Sequence, residues 1–319
     1  MKKMVIILLI VLLIGVIIAA VGFAVAYNAA AELDEKSASF DYNDGDNIIV
    51  DCTKNDVIVS VGDDIGSVKI KYFENKTIKT TASKIGKDIS FIVDKKGNFF
   101  IWNAFCKKTA VTVTLPKNFC GDVTLKTTTG KIDFDASGIT VRKLETVIAT
   151  GETALNSVTA SDAAVKSTTG KITVNSLTVE NNLAVSATTG NAAVNGVTVG
   201  GDFSLDFTTG GVKVTNAKIG GKILANATTG KIDVEATAKK AEFTSTTGDV
   251  NFKLTECDDI FVKATTGDVS GKIYGLLADY TIFTSTTTGK SNVSAQLGKV
   301  EGKVFRAETT TGDIVIEFA

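Results

Sequence analysis

The residues with the chemistry to cut, transfer or ligate are few, and none of them recurs. The 319-residue chain has no histidine. That removes the commonest general base, the Ser-His and Cys-His nucleophile pairs and the commonest zinc ligand. The four cysteines, Cys52, Cys106, Cys120 and Cys257, show no C-x-x-C spacing that would suit zinc or a redox pair. Outside the membrane Cys106 and Cys120 could pair across a short loop; the other reading makes all four small buried hydrophobes. Carboxylates come in pairs, at Asp44/Asp46, Asp63-Asp64, Asp133/Asp135 and Asp258-Asp259. Some β-helix enzymes cleave acidic polysaccharides with carboxylates, calcium and a basic residue. Here the pairs sit in different segments, and the arginines are Arg142 and Arg306 alone. Neither an Asp-x-Asp-x-Asp-Gly loop nor a Gly-Gly-x-Gly-x-Asp repeat is present. The pairs therefore read as solvated loop charges. The sequence singles out no catalytic, cofactor-binding or metal-binding residue, calls for no cofactor, and leaves the ligand-binding residues unknown. A net charge of −1 gives no footprint for nucleic acid.

What does recur is Thr-Thr-Gly or a near copy, from Thr128-Thr129-Gly130 to Thr310-Thr311-Gly312. Its glycines fall at 130, 151, 170, 190, 210, 230, 248, 267, 289 and 312, in steps of 21, 19, 20, 20, 20, 18, 19, 22 and 23. A period of about twenty residues is the mark of a stacked solenoid. Within one period, Leu183, Val185, Ala187 and Thr189 alternate with Ala184, Ser186 and Thr188. Alternate side chains of a strand point to opposite faces, so the first set is expected inside and the second outside. Phe203, Leu205, Phe207 and Thr209 follow the same phase, as do Val262, Ala264 and Thr266. A second short strand after the glycine turns in pairs such as Ile172/Val174 and Val212/Val214, and a third run such as Val197-Thr-Val199 completes the turn. The expectation is an all-β, single-stranded parallel β-helix of ten or more rungs, with the commoner right-handed coil.

The position before the glycine is Thr in all ten copies. An inward Thr column at a bend can hydrogen-bond stacked neighbours and backbone, and glycine suits a bend of positive φ or close backbone approach. The outward column, Thr128, Thr168, Thr188, Thr208, Thr228, Thr246, Thr265, Thr287 and Thr310, invites comparison with ice-binding solenoids. Those faces need two Thr in register on one strand face, whereas adjacent Thr residues of a strand point opposite ways.

Taken in order, the chain starts with Lys2 and Lys3 and then runs from Val5 to Ala26 without a charge. That is long enough to span a bilayer as a helix and longer than the apolar core of a cleaved leader. Residues 1–27 are expected as an uncleaved signal anchor, the basic flank inside the cell and the remainder outside. Cleavage near Ala29-Ala30-Ala31 is the competing reading. Residues 28–46 are small and acidic and read as a solvated linker, with Phe40 and Tyr42 able to open the first strand. Residues 47–119 lack the repeat but hold strand-like runs, Ile48–Val50, Val57–Val61, Val68–Tyr72, Ile89–Val93, Phe99–Trp102 and Val111–Leu115. They are expected to form irregular first rungs and an N-terminal cap. Residues 120–319 are the regular stack, with the rung from Glu308 to Ala319 as its last. No cap is legible beyond it, so either Glu317 and a tight closure blunt that edge, or the edge docks another copy.

The anchor, Asn55-Asp-Val-Ile-Val, Val111-Thr-Val-Thr-Leu-Pro116 and the Thr-Thr-Gly-(Lys/Asp)-(Ile/Val) run resemble a bacterial β-strand-repeat domain of unknown function that goes under the name "putative adhesin". The resemblance covers roughly residues 40–319 and implies a membrane-anchored, extracytoplasmic β-solenoid with no catalytic residues. The expected function is non-enzymatic: adhesion, surface scaffolding or binding of a cell-wall or surface ligand. Self-association through the C-terminal rung is the other expected partnership. The alternative is an envelope-stress accessory or sensor working with a membrane partner.

Overall fold

The computed structural model describes residues 12–18, 20–22, 33–74, 79–94 and 109–319. These form an all-β solenoid of about nine turns, rather than ten or more. Among the described residues, α-helix covers 12–18 and 20–22, and no helix is long and apolar enough to cross a membrane. The rest of the expected span, the Phe99–Trp102 strand and Cys106 lie outside the described residues.

The N-terminal end is built out of chain order. β1 (Asp34–Asp41) pairs antiparallel with β4 (Ser67–Glu74), so much of the expected linker is strand. Between them, β2 (Asn47–Cys52) and β3 (Asp56–Val61) make the first solenoid turn. β5 (Lys79–Ile85) and β6 (Asp88–Asp94) form an antiparallel pair, followed by β7 (Ala110–Leu115). β6 and β7 stack in parallel on the outer side of β2 and β3. The chain then returns across them, and β8 (Val123–Asp135) covers the inner side.

From β8 the turns follow one another in parallel and in register. β9 (Thr140–Val179) is succeeded by β10 (Leu183–Thr189), β11 (Ala192–Asn195), β12 (Thr198–Val199), β13 (Phe203–Thr209), β14 (Val212–Thr229), β15 (Ile232–Thr247) and β16 (Val250–Thr255). Leu183 sits between Ala163 and Phe203, and Val185 between Val165 and Leu205. The alternation of Leu183, Val185 and Ala187 inward with Ala184 outward holds, and the inward residues are buried. Each buried Leu, Val or Phe contributes about 1.5–3 kcal/mol, so the interior columns drive the stack. The columns are packed across turns. Phe207 lies between Ala187 and Ala227, and the Phe252 ring fills the space a side chain at Gly271 would take.

The C-terminal end also breaks chain order. β17 (Asp259–Thr266) and β18 (Val269–Tyr274) complete a regular turn. β19 (Thr281–Thr288) comes next in sequence but not in space. β20 (Val304–Thr311) lies between β17 and β19, and β21 (Ile314–Phe318) stacks on β18. The rung from Glu308 to Ala319 is therefore not the outermost. Its outer edge is met by the returning segment: the Ile316 N–H donates to Asn292 Oδ1 at 2.8 Å, and Asn292 Nδ2 donates to the Ile316 carbonyl at 3.0 Å. The edge for which the sequence showed no cap is covered by this folded-over segment, while Glu317 pairs with Lys272.

One corner fixes the stack. Gly151, Gly170, Gly190, Gly210, Gly230, Gly248, Gly267, Gly289 and Gly312 all have φ between +134° and +149°. A Cβ on any of them would lie 1.7–2.3 Å from the carbonyl oxygen of the glycine in the adjoining turn. A second corner carries Ser157, Ser176, Gly196 and Asn216 at φ of 50–64°, and there a Cβ on Gly196 meets nothing nearer than 3.8 Å. The two corners should respond oppositely to substitution. Gly210→Ala is expected to cost about 4 kcal/mol or more in denaturant unfolding. Gly196→Asn, which copies the residue one turn away, is expected to stay within about 0.5 kcal/mol of the unmodified chain. Equal losses would show that the glycine column is not the constraint.

Candidate functional site

The Thr-Thr-Gly corner presents more side-chain surface than alternation predicts. Thr188 and Thr208 are exposed as expected, but Thr189, Thr209 and Thr266 are exposed too, not inward. The register explains the difference. Ala187 pairs Phe207 and Thr189 pairs Thr209 without a register shift, while Thr188 and Thr208 between them are not ladder partners, so the regular pleat is interrupted in step in successive turns before the glycine. The extended, positive-φ glycine then turns the chain away, and two consecutive Thr side chains end up outside. The same exposed pair occurs at Thr128-Thr129, Thr168-Thr169, Thr228-Thr229, Thr246-Thr247, Thr265-Thr266, Thr287-Thr288 and Thr310-Thr311. Only the Ala149-Thr150 copy carries a single exposed Thr. Among the described residues none of these hydroxyls has a hydrogen-bond partner in the protein. They form a double threonine ridge with one step per turn, about 4.8 Å apart.

The backbone bond expected of the Thr before the glycine is made instead three residues before it. Thr127 Oγ1 donates to the Asn55 carbonyl at 3.0 Å, Thr286 Oγ1 to the Gly312 carbonyl at 3.0 Å and Thr309 Oγ1 to the Gly267 carbonyl at 3.1 Å. The Asn55 carbonyl occupies the glycine position of the first turn, since a Cβ on Gly130 would meet it at 2.3 Å. On the far side of the corner, carboxylates bridge turns. Asp249 Oδ1 accepts the Asp268 N–H at 3.0 Å, Asp268 Oδ1 accepts the Asp313 N–H at 2.8 Å, and Asp313 Oδ1 accepts the Lys290 N–H at 2.8 Å.

The paired carboxylates do not converge. Asp46 is buried against Lys84 at 2.5 Å, while Asp44 accepts the Cys120 thiol at 2.8 Å. Asp63 pairs with Lys117 at 2.8 Å, and Asp64 with Lys69 at 3.0 Å. Hydrogen bonds from the Gly66 N–H, Lys69 and Ser67 hold Asp64 well below the usual carboxylate range, and the hydrogen bond from Lys117 lowers Asp63. Asp133 is engaged by Lys131 at 2.7 Å, and Asp135 by the Ser137 N–H and hydroxyl. Asp258 and Asp259 face Lys303 at 3.9 Å and Lys240 at 3.8 Å. Among the described residues no group of His, Cys, Asp or Glu is placed to hold a metal ion. Arg142 is taken by Asp122 at 2.6 Å, and Arg306 lies over the Phe283 ring at 5.2 Å.

A surface groove that the sequence reading did not anticipate lies on the third side of the stack. It measures about 210 Å³ and is lined in part by Lys218, Thr237, Lys253, Thr255 and Tyr274. Its only sequence signal is the short step of 18 between Gly230 and Gly248.

Comparison with known proteins adds a family. The model of Toastrack DUF4097 matches residues 45–256. No curated protein matches the chain. Among solved structures, a putative adhesin from Bacteroides fragilis NCTC 9343 is similar at 13% identity and a TM-score of 0.33, over 89% of this chain and 97% of that one. A putative cell adhesion protein from Clostridium sporogenes ATCC 15579 gives 12% identity and 0.23, over 90% and 100%. A putative adhesin from Parabacteroides distasonis ATCC 8503 gives 12% and 0.28, over 88% and 96%.

The described cysteines differ sharply in environment. Cys52 and Cys257 are buried free thiols, and burial, reinforced by Asp51 at the first and by Asp258 and Asp259 at the second, pushes each up to about 12. Cys120 is an exposed free thiol, against the reading that buried all four. The phenol of Tyr42, which accepts the Cys120 N–H at 3.0 Å, is itself raised to about 12, first by burial and then by its bond to Cys120. Iodoacetamide at pH 8 should therefore modify Cys120 in the native protein, and Cys52 and Cys257 only after denaturation, as read by peptide mass spectrometry. Native labelling of Cys52 as fast as Cys120 would contradict the fold.

Proposed function

We propose a binding role for this chain, which belongs to the Toastrack DUF4097 family, a family with no known catalytic role. It is an adhesin-like β-solenoid that holds a repetitive ligand along its threonine ridge. The observation that carries the reading is the double column of exposed hydroxyls without partners in the protein. A hydroxyl both donates and accepts, so a ridge of them matches a polymer that presents hydroxyl or amide groups at regular intervals, such as cell-wall glycan. Single contacts of this kind are weak, at about 0.5–1.5 kcal/mol each, and the ridge supplies affinity through number.

Residues 1–27 anchor the protein in a membrane with its solenoid outside the cell. The support is the uncharged run Val5–Ala26 behind Lys2 and Lys3. β1 begins at Asp34 and belongs to the N-terminal cap. The eight residues from Ala26 to Asp34 reach at most about 28 Å, so the cap end stands close to the bilayer and the C-terminal cap is displayed away from it.

Two separable experiments test this. Removing residues 4–27 should shift the protein from the membrane fraction to the soluble fraction; retention in the membrane would refute the anchor. The full chain should sediment with insoluble peptidoglycan. Changing Thr188, Thr189, Thr208, Thr209, Thr228 and Thr229 to Val keeps β-branched side chains on the strand and should weaken that binding about tenfold or more. Undiminished binding would exclude the ridge, and absence of binding by the unmodified chain would turn the search to a protein partner of an envelope sensor.

A further inference from the structure

The groove on the third side has a specific structural origin. In the turn below it, Thr215 and Asn216 make the second corner, with Asn216 at φ 54°. In the next turn Val214 pairs Val234 and Ala217 pairs Ala236, so Glu235 alone stands opposite those two residues. The turn after that follows without a shift, with Glu235 against Lys253 and Thr237 against Thr255. The ledge built by Ser157, Ser176, Gly196 and Asn216 therefore ends at Asn216, and a step opens beside it. Ala217 and Ala236 are small and buried, which leaves the floor of the step low.

What projects around the step is chemically mixed. Lys218, Thr237, Thr255 and Tyr274 stand in one outward column on four neighbouring strands. Lys218 is exposed and has no carboxylate partner among the described residues. Lys253 is held only by Glu235 at 4.0 Å, with both side chains largely in solvent, a pair worth little. Tyr274 is 48% exposed, and Lys272 lies over its ring at 5.4 Å while being held by Glu317 at 2.6 Å. Neither Thr237 nor Thr255 spends its hydroxyl on the protein.

We propose that this step is a binding subsite for an anionic saccharide. The column supplies what such a ligand needs. Three ladder steps of about 4.8 Å separate Lys218 from Tyr274, so the ligand is an oligosaccharide laid along the column: one ring rests its C–H face on Tyr274, Thr255 and Thr237 meet hydroxyls of the rings that follow, and Lys218 and Lys253 meet their carboxylates. An unpaired ammonium at the other end of the column from a half-exposed phenol ring selects a charged oligosaccharide over a neutral one. The site is distinct from the threonine ridge, which lies at another corner of the turn, so it holds or fails independently of that reading.

The test is isothermal titration calorimetry of the full chain in detergent with a galacturonic acid tetrasaccharide and with its carboxyl-reduced, neutral counterpart. The acidic tetrasaccharide should bind at least about tenfold more tightly than the neutral one. Tyr274→Ala and Lys218→Glu should each lower its affinity about tenfold or more, with circular dichroism unchanged, since both residues are exposed. The Thr208→Val/Thr209→Val ridge variant should bind as the unmodified chain does. No binding by the unmodified chain, equal binding of the two saccharides, or undiminished binding by Tyr274→Ala would overturn the proposal.

Discussion

Everything in this solenoid is referred to the distance between glycine carbonyls at one corner. Each turn approaches the next so closely there that a methyl group would sit inside the neighbouring carbonyl oxygen. The approach is what allows the Gly N–H to reach the Thr carbonyl of the adjoining turn, as Gly210 does to Thr229 and Gly230 to Thr247, each at 2.8–2.9 Å. It also brings the strands on both sides into ladder register without a gap. Register is in turn what stacks Leu183 on Phe203 and Val212 on Ile232. Hydrophobic burial stabilises the columns, but it does not choose their alignment. A solenoid with a looser corner could bury the same residues in a slipped register, and the glycine column removes that freedom.

Both ends solve the edge problem by one device. A stack of strands offers unpaired backbone at each end, which invites addition of another chain. At the N-terminal end β2 and β3 are laid down first, then covered from outside by β6 and β7 and from inside by β8. At the C-terminal end β20 slides between β17 and β19. At the N-terminal end the clasped turn comes first and both its neighbours follow it in the chain; at the C-terminal end the clasped strand β20 comes after both its neighbours. Fraying of the outermost strand then has to pull against a neighbour tied to a distant part of the sequence, a stiffer arrangement than peeling a simple end repeat.

The sequence showed the period, the strand class and the inward triads such as Leu183, Val185 and Ala187, because those depend on local alternation. It misplaced Thr189 and its equivalents because alternation assumes an unbroken pleat. The ladder is interrupted beside a positive-φ glycine, and this breaks the pleat at the one residue pair that recurs most. The exchange of β19 and β20 was not legible either. Their Thr-Thr-Gly copies are interchangeable as strings, and which one stacks on Gly267 is settled by how a loop can cross the end of the stack. The only trace was metrical, the long steps of 22 and 23 that separate Gly267, Gly289 and Gly312. The carboxylate pairs were separated correctly into different segments, but their individual lysine partners depend on turns that lie far apart in sequence.

The same metrical irregularities show how such a fold acquires distinct places on a uniform rod. The glycine corner and the inward columns accept almost no change in length, since any residue gained or lost there would turn the core outward. The second and third corners lie outside that constraint. Between Val214 and Ala217, and again between Ile219 and Lys222, the following turn drops one residue each time and still returns to register by Ile223 opposite Ala241. A deletion is thus absorbed within a corner and written only on the surface, where it ends a ledge and leaves a step. The repeat that makes the rod monotonous also makes it tolerant, and the tolerance is local to two corners of three. Surface specificity in this architecture is therefore expected beside short and long turns, and the groove at Lys218, Thr237, Thr255 and Tyr274 lies beside the shortest turn of the stack.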